Sequence, residues 1–330
     1  MIKKSIIICT IICIPILVFS WGMWGHQHIN RAAIFTLPEP LRSFYFRHAD
    51  YITEESVVPD VRKYTMGDKA EFARHFIDME DYHFSSDTFE MNPKKAYTQY
   101  DEKTRNELGI LPWYILEMTQ KLTEAFKNKE KAAILLLSGD LGHYIGDASM
   151  PLHTTSNHNG QKTGQQGIHA FWESQLPEIF GSTYQMNIGE AHYIKDLEKN
   201  TRELILHTHS LADSVLLIDK ILGLKFSKET AYQCDTNKNP LKNRYGNPIH
   251  SKAYAEAYHQ ASNHLIERQL QKAAYMLSCY WYTAWCNAGK PELNDLDSQS
   301  YIESCRENYT KEQLLWKTGK TIEIGNKKEF

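Results

Sequence analysis

Five potential metal ligands follow one another in the stretch His143-x3-Asp147-x5-His153-x15-His169-x3-Glu173. The first two and the last two are each four residues apart, so a helix would place both members of each pair on one face. Pro151 comes just before His153 and should end the first helix, turning the chain back toward the pair. Neutral imidazole and carboxylate oxygen together suit zinc. Single pairs of this kind are common on helix surfaces, but two pairs joined by a loop that holds a fifth ligand predict a metal centre.

The sequence from residue 21 to residue 290 predicts an all-α fold, a single-domain multi-helix bundle with the metal centre in a cleft. Helical patterns cover 26–37, 39–49, 110–128, 130–147, 168–179, 192–224 and 251–287. The clearest is the last, where apolar residues recur at a period near 3.6. Strand signals are sparse, and loops are expected at 50–70, 84–100, 155–167 and 233–250. No boundary divides the candidate ligands, which favours one domain.

The two ends of the chain differ from this central region. Residues 1–20 carry Lys3 and Lys4 before an apolar run that ends at Phe19, a pattern typical of a cleaved export signal. An uncleaved membrane anchor is the alternative, but the run is short for a membrane span. The mature chain should therefore begin at Trp21 and be exported, to a periplasm or outside the cell. Residues 291–330 are polar, and we expect an extended or loosely packed tail.

Charge and cysteine content narrow the possible functions. The formal net charge of −3 argues against a protein that holds polyanions on a broad basic surface, so positive charge for a phosphate would have to be local. Four cysteines follow the signal, at positions 234, 279, 286 and 305, and can form up to two disulfides in three connectivities. Cys279 and Cys286 are too far apart along one helix to bond each other. No Cys-x2-Cys spacing occurs, which argues against a cysteine-ligated zinc.

Further candidate ligands precede the central stretch. The predicted mature chain opens Trp21-Gly22-Met23-Trp24-Gly25-His26, and a terminal amine and carbonyl on Trp21 could chelate one ion with His26 nearby. Asp60 follows a proline, and His75 follows an arginine. Alone, the first would be an ordinary turn or cap residue and the second a hydrogen-bonded histidine. Together with the central stretch, they suffice for three metal sites, with Asp147 bridging two of them.

These motifs make the chain resemble the zinc-dependent phospholipase C/single-strand nuclease superfamily, whose members are all-helical and hold three zinc ions in a cleft. The Trp-x4-His opening and the H-x3-D-x5-H run carry the resemblance, which covers most of the chain after residue 20. It implies that one zinc is held by Asp60, His75, His143 and Asp147. A second would be held by Trp21, His26 and the bridging Asp147. The third and more exposed zinc would be held by His153, His169 and Glu173.

Two branches of the superfamily remain open on these residues. The spacing of the Trp-x4-His opening is that of the nuclease branch, whereas Glu173 and the short loop before His169 are more similar to the phospholipases. The nucleases carry an arginine three residues after the position of Asp60. Here that position is Lys63, with Arg62 one residue earlier, so either cation is a candidate for stabilising the transition state.

Phe76 and Asp78 match positions that in the nucleases stack on a base and hydrogen-bond to it. The same residue string also occurs in phospholipases, so it discriminates little between the branches. Where stacking occurs, it contributes roughly 1–3 kcal/mol per base.

The sequence therefore predicts a secreted zinc-dependent endonuclease/3′-nucleotidase acting on single-stranded DNA, RNA or nucleotides, with a phospholipase C as the alternative. A water activated by zinc and oriented by Asp60 would attack the phosphorus directly, without a covalent enzyme intermediate. A zinc-storing or structural protein fits less well, because open metal positions are typical of catalytic sites. No obligate protein partner is expected.

Overall fold

The computed structural model describes residues 21–83, 89–243, 246–319 and 324. Within these residues the regular structure is helical, apart from three isolated bridges that pair Tyr232 with His250, Cys234 with Pro240 and Lys242 with Pro248. The all-α prediction is confirmed. The predicted export signal, residues 1–20, lies outside the described residues.

The α-helices are distributed along the whole described chain. They are α1 (Gly22–Thr36), α2 (Leu41–Arg47), α3 (Ala49–Glu55), α4 (Val58–Tyr64), α5 (Lys69–Phe72), α6 (Pro93–Gln99), α7 (Glu102–Leu108), α8 (Leu111–Lys127), α9 (Lys131–Ala148), α10 (Ile168–Ala170), α11 (Leu176–Phe180), α12 (Leu197–His209), α13 (Ala212–Gly223), α14 (Lys228–Ala231), α15 (Lys252–Ala261), α16 (Leu265–Asn287) and α17 (Gln299–Lys317). Short 3₁₀ turns at Ala73–His75 and Pro151–Thr154 and a π-helical segment at Phe171–Gln175 adjoin them.

The core forms around α16, which packs against α1, α8 and α9. Leu270, Ala273 and Leu277 recur every three or four residues and are fully buried, so this helix turns a continuous apolar face to its neighbours. At its end the Trp281 ring is buried and its indole N–H donates to the Ser138 carbonyl at 3.2 Å. The aromatic end of the helix is thus part of the core.

The crossing of α1 and α9 brings the first ligands together. A Cβ atom on Gly142 would lie only 2.0 Å from Oδ1 of Asn30, so the two backbones can approach this closely only because position 142 is glycine. One residue further on, the ring of His143 stacks on the ring of His26 with centroids 3.9 Å apart. The close packing of two helices therefore places residues more than a hundred positions apart in one site.

Several predicted boundaries were wrong. The expected helix 192–224 is two helices, α12 and α13, and the expected helix 251–287 is divided into α15 and α16. The second break occurs at Asn263 and His264, whose φ angles of 46° and 60° no continuous right-handed helix allows. The expected loop at 50–70 contains α3 and α4, where Pro59 occupies the first turn that tolerates it. The expected loop at 84–100 contains α6 among its described residues.

The polar segment after residue 290 is not extended, since it contains α17. Trp316 on this helix is buried and stacks on Phe35 of α1 at 5.4 Å, and Glu312 accepts two hydrogen bonds from Arg31 at 2.8 and 2.7 Å. The helix has few apolar residues, so periodicity in the sequence did not reveal it. Tyr309 of the same helix packs on Phe46 with ring centroids 4.9 Å apart, so aromatic contacts and an ion pair together attach α17 to the bundle.

The disulfides that the sequence allows are not seen among the described residues, where Cys234, Cys279, Cys286 and Cys305 are all free thiols. Cys279 instead has its sulfur 3.2 Å from Nδ1 of His192. None of the helices in the described ranges is long and apolar enough to cross a membrane.

Candidate metal centre

The centre of the site is the last part of α9, where His143 and Asp147 share one face as predicted. Nε2 of His143 lies 3.4 Å from Oδ2 of Asp147, and both side chains are fully buried. The other ring nitrogen of His143 donates to the Ser56 carbonyl at 2.8 Å. This bond leaves the lone pair of Nε2 directed at the carboxylate.

Two short segments bring Asp60 and His75 to this pair. Asp60 lies in the first turn of α4, and His75 ends the 3₁₀ turn after α5. Nδ1 of His75 is 3.1 Å from Oδ2 of Asp147, 3.7 Å from Oδ1 of Asp60 and 3.0 Å from Nε2 of His143. The four residues that the resemblance assigns to one zinc are therefore neighbours.

The first turns of α1 contribute Trp21 and His26. Nε2 of His26 is 3.6 Å from Oδ1 of Asp147, and the ring also lies in a cluster of potential ligand atoms with Asp60 and His143. The Trp21 ring is fully buried, its indole N–H donates to the Gly146 carbonyl at 2.6 Å, and the ring packs on Trp172 at 5.1 Å. Trp21, the predicted first residue of the mature chain, is therefore packed beside α9.

His153, His169 and Glu173 form a separate group. His169 follows the loop at 155–167, and Glu173 lies in the π-helical segment, an irregularity that is frequent at functional sites. Nε2 of His169 is 2.9 Å from Oε2 of Glu173 and 3.1 Å from Nε2 of His153. All three side chains are buried.

The hydrogen bonds of this group determine which nitrogens can bind a cation. Nδ1 of His153 donates to the His75 carbonyl, and Nδ1 of His169 donates to the His158 carbonyl. Each Nε2 atom then carries a lone pair, and both lone pairs face one another and the Glu173 carboxylate. Three electron-rich atoms this close repel each other unless a cation lies among them. The residues therefore fit a bound metal ion.

Burial favours the uncharged form of each ligand, which suits the histidines but not the carboxylate. It lowers the pKa of His169 to about 3, with His158 adding to the effect, and it lowers the pKa of His143. Neutral imidazole is the form that binds zinc. Burial also raises the pKa of Asp147 to about 7, with the His75 contact opposing it, and Oδ1 of Asp147 accepts no hydrogen bond within the described ranges. A divalent cation would supply the positive charge that this carboxylate lacks.

The two candidate cations have different positions. Arg62 faces away from the ligands, and its guanidinium contacts Asp140 at 2.8 Å and Glu71 at 3.2 Å. The side chain of Lys63 is only 6% exposed and lines the cavity beside the ligands. Its ammonium lies 3.2 Å from Oδ1 of Asp60. Burial would lower the pKa of Lys63, but the Asp60 carboxylate raises it above its usual value, so the lysine is charged.

A cavity of about 430 Å³ opens onto the site, lined by Lys63, Tyr64, Phe72, His75, Phe76, Asp78, Glu107, Leu152, His153, His158, Asn159, Gln161, Gln166 and His169. Phe76 and Asp78 are both half-buried in its wall. Gly109, at a φ angle of 81°, passes under Phe76 so closely that a Cβ atom would lie 2.1 Å from the Phe76 carbonyl oxygen. Oδ1 of Asp78 is buried and accepts no hydrogen bond among the described residues.

The site contains several residues that were not predicted from the sequence. Glu71 is fully buried, accepts a hydrogen bond from the Tyr144 hydroxyl and lies 3.5 Å from Nε2 of His75, the nitrogen that faces away from the other ligands. Its position four residues before His75 was the available signal. His158, Tyr64 and Phe72, which the sequence did not single out, also line the cavity.

The S1/P1 nuclease family matches residues 21–282, which is most of the chain. The chain belongs to the S1/P1 nuclease family. This family is part of the phospholipase C/P1 nuclease superfamily, so the predicted resemblance to the nuclease branch is confirmed. A comparison with individual curated proteins finds no match.

Membership confirms the predicted enzyme class. S1/P1 nucleases are zinc-dependent hydrolases of phosphodiester bonds in nucleic acids, and the nuclease described here has the buried histidine and carboxylate groups that such an activity requires. The matched region begins at Trp21, the residue at which the mature chain was predicted to start.

Proposed function

We propose that this nuclease cleaves single-stranded nucleic acid, and removes phosphate from 3′-nucleotides, with three zinc ions bound by the predicted ligands. One ion binds Asp60, His75, His143 and Asp147; a second binds the Trp21 amine and carbonyl, His26 and Asp147; a third binds His153, His169 and Glu173. The Nε2 atoms of His153 and His169 lie 3.1 Å apart with their lone pairs facing each other, and this is the observation that best supports bound cations. Zinc supplies Lewis acidity and lowers the pKa of water toward about 7.

The protein's own residues prepare the phosphate for attack. Asp60 is buried between the ligands and Lys63, so its carboxylate can accept a proton from the attacking water and orient it. The Lys63 ammonium contributes positive charge on the cavity side, where a phosphate oxygen gains charge in the transition state. Arg62 has a structural role, since its guanidinium is bound to carboxylates behind the site.

Base recognition is assigned to Phe76 and Asp78. The Phe76 ring lies in the wall of the cavity that His153 and His169 also line, close enough for one nucleotide to contact both. Oδ1 of Asp78 is available to accept a hydrogen bond from an N–H group of the base. This pair would select nucleotides over other phosphate esters.

The test compares single-stranded DNA, RNA and phosphatidylcholine as substrates of the zinc-loaded protein, together with the Phe76→Ala variant. We expect hydrolysis of the nucleic acids. In Phe76→Ala, kcat/KM on an oligonucleotide should fall by the equivalent of roughly 1–3 kcal/mol of stacking energy. Zinc content and hydrolysis of a small diester without a base should stay near wild type. Equal losses on both substrates, or cleavage of the phospholipid alone, would contradict the proposal.

We further propose that the chain is exported and that cleavage of residues 1–20 exposes the Trp21 amine. The buried position of Trp21 beside the ligand helix supports a fixed N-terminus at this residue. N-terminal sequencing of the exported protein should begin at Trp21. Another start would remove the amine from the second zinc site.

A further inference from the structure

Phe72 is an exposed phenylalanine at the entrance of the nucleotide cavity. It ends α5, lines the same cavity as Phe76 and keeps 52% of its surface accessible to solvent. An aromatic side chain of this size usually gains free energy by burial in the core. Phe72 combines this exposure with a place in the cavity wall, so a ligand in the cavity can reach its ring.

The orientation of the two phenylalanine rings matters. Their centroids are 5.5 Å apart and their planes are inclined by 72°, so the edge of one ring meets the face of the other. A base that stacks parallel to one ring is therefore steeply inclined to the other. The two rings cannot stack on the same base, and Phe72 remains available for a different one.

The charge beside Phe72 favours a nucleic acid. The Lys63 ammonium lies 5.8 Å from the centre of the Phe72 ring and 4.4 Å from the centre of the Tyr64 ring. Proteins that bind single strands combine positive charge, which attracts the phosphates, with aromatic rings, on which the bases stack. The same lysine contacts Asp60, so this surface is continuous with the metal centre.

We propose that Phe72 stacks on a second nucleobase of a single-stranded substrate, adjacent to the base held by Phe76. This inference rests on the proposed role of Phe76 and adds a specificity determinant to it. The nuclease then binds at least two consecutive nucleotides and prefers oligonucleotides over nucleoside 3′-monophosphates. Because Phe72 does not contact the reacting atoms, its contribution appears in KM, while kcat stays nearly unchanged.

The experiment measures KM and kcat for Phe72→Ala on a nucleoside 3′-monophosphate, a dinucleotide and a single-stranded ten-mer. We expect no change on the monophosphate and a loss in kcat/KM of roughly 5- to 150-fold on the longer substrates, which is the stacking energy of one base. Phe72→Trp should retain wild-type values. Leu224→Ala, which removes a side chain that is 85% exposed and does not line the cavity, is the matched control.

A second arm identifies the base that Phe72 contacts. Ten-mers with an abasic site on either side of the nucleotide held at Phe76 should lose affinity for the wild-type enzyme on one side only. On that ten-mer, Phe72→Ala should cause no further loss, since the contact is already absent.

Three results would overturn the inference. They are an unchanged KM on oligonucleotides, equal losses on the monophosphate and the ten-mer, or a loss of binding to phosphatidylcholine vesicles alone. Each is distinguishable from failure of the proposed function, in which the wild-type enzyme cleaves no nucleic acid or Phe76→Ala has no effect on base-containing substrates. Melting temperature and zinc content of each variant exclude misfolding.

Discussion

At the scale of single residues, the hydrogen bonds of each histidine ligand determine which of its two ring nitrogens can bind a metal ion. His143, His153 and His169 each donate Nδ1–H to a backbone carbonyl, so all three present the Nε2 lone pair to the site. Glu71 has the corresponding role for His75 through the opposite ring nitrogen. Burial would raise the pKa of Glu71, but hydrogen bonds from His75 and Tyr144 hold it well below its usual value. The ionised Glu71 carboxylate therefore lies beside the nitrogen of His75 that faces away from the other ligands.

The ligand carboxylates Asp147 and Glu173 should not contribute equally to zinc binding. Asp147 lies within 3.6 Å of His26 and within 3.1 Å of His75, whereas Glu173 lies 2.9 Å from His169 and 3.6 Å from His153. Asp147→Asn should therefore reduce zinc stoichiometry and rate more than Glu173→Gln. Zinc measured by atomic absorption in the two purified variants decides this. A larger zinc loss in the Glu173 variant would refute the bridging role of Asp147.

The pH dependence of base recognition should follow Asp78. Burial, with Asp81 and Glu80 nearby, raises the pKa of Asp78 to about 7. Below that pH the carboxyl group is protonated and no longer accepts a strong hydrogen bond from a base. The ratio of kcat/KM for a base-containing substrate to that for a base-free diester should thus rise roughly 10- to 150-fold as pH increases through 7, since bonds to charged groups contribute about 1.5–3 kcal/mol. In Asp78→Asn the ratio should be independent of pH.

At the scale of elements, the site depends on where short segments end and on how helices cross. α9 supplies two ligands, but the 3₁₀ turns at Ala73–His75 and Pro151–Thr154 supply one each. These two turns are joined by a pair of bonds, from the Ile77 amide to the His153 carbonyl and from the His153 ring to the His75 carbonyl. A shift in either turn would therefore move ligands of two groups and the adjoining Phe76 together.

The last helix should contribute measurably to stability. Trp316 of α17 stacks on Phe35 and is buried, whereas Leu314 of the same helix is 64% exposed. Trp316→Ala should lower the free energy of unfolding by about 3 kcal/mol, the usual cost of removing a large buried aromatic ring. Leu314→Ala should change it by less than about 0.5 kcal/mol. Chemical denaturation of the two variants measures the difference, and equal effects would mean that α17 is not packed on α1 in solution.

At the scale of the whole molecule, the ligands connect distant parts of the chain. They come from α1, α4, α9, α10, two 3₁₀ turns and the π-helical segment. The unfolded chain cannot assemble these groups, so a metal ion binds only the folded state. Its binding must therefore stabilise the entire bundle.

Chelation should accordingly lower the melting temperature. One site occupied at a free zinc concentration of 100 times Kd stabilises the fold by about 2.7 kcal/mol. In a protein of this size that corresponds to a fall of roughly 4 °C on removal of the ion. Differential scanning calorimetry with EDTA, followed by excess zinc, tests both loss and recovery. Asp147→Asn should show a smaller shift, and no shift in the wild-type protein would argue against structural binding of the metal.

The amino-acid sequence alone was sufficient to predict the helical class and to select the ligand candidates, because period and spacing are local properties. Residues four positions apart, such as His143 and Asp147, lie on the same face of any α-helix. Tertiary structure decided the rest. Only packing showed that Lys63 faces the cavity while Arg62 binds carboxylates behind it, that Glu71 supports His75, and that Phe72 remains exposed beside Phe76. These differences depend on which way neighbouring side chains point once α4, α5 and α9 meet, and adjacent positions in a sequence do not encode that direction by themselves.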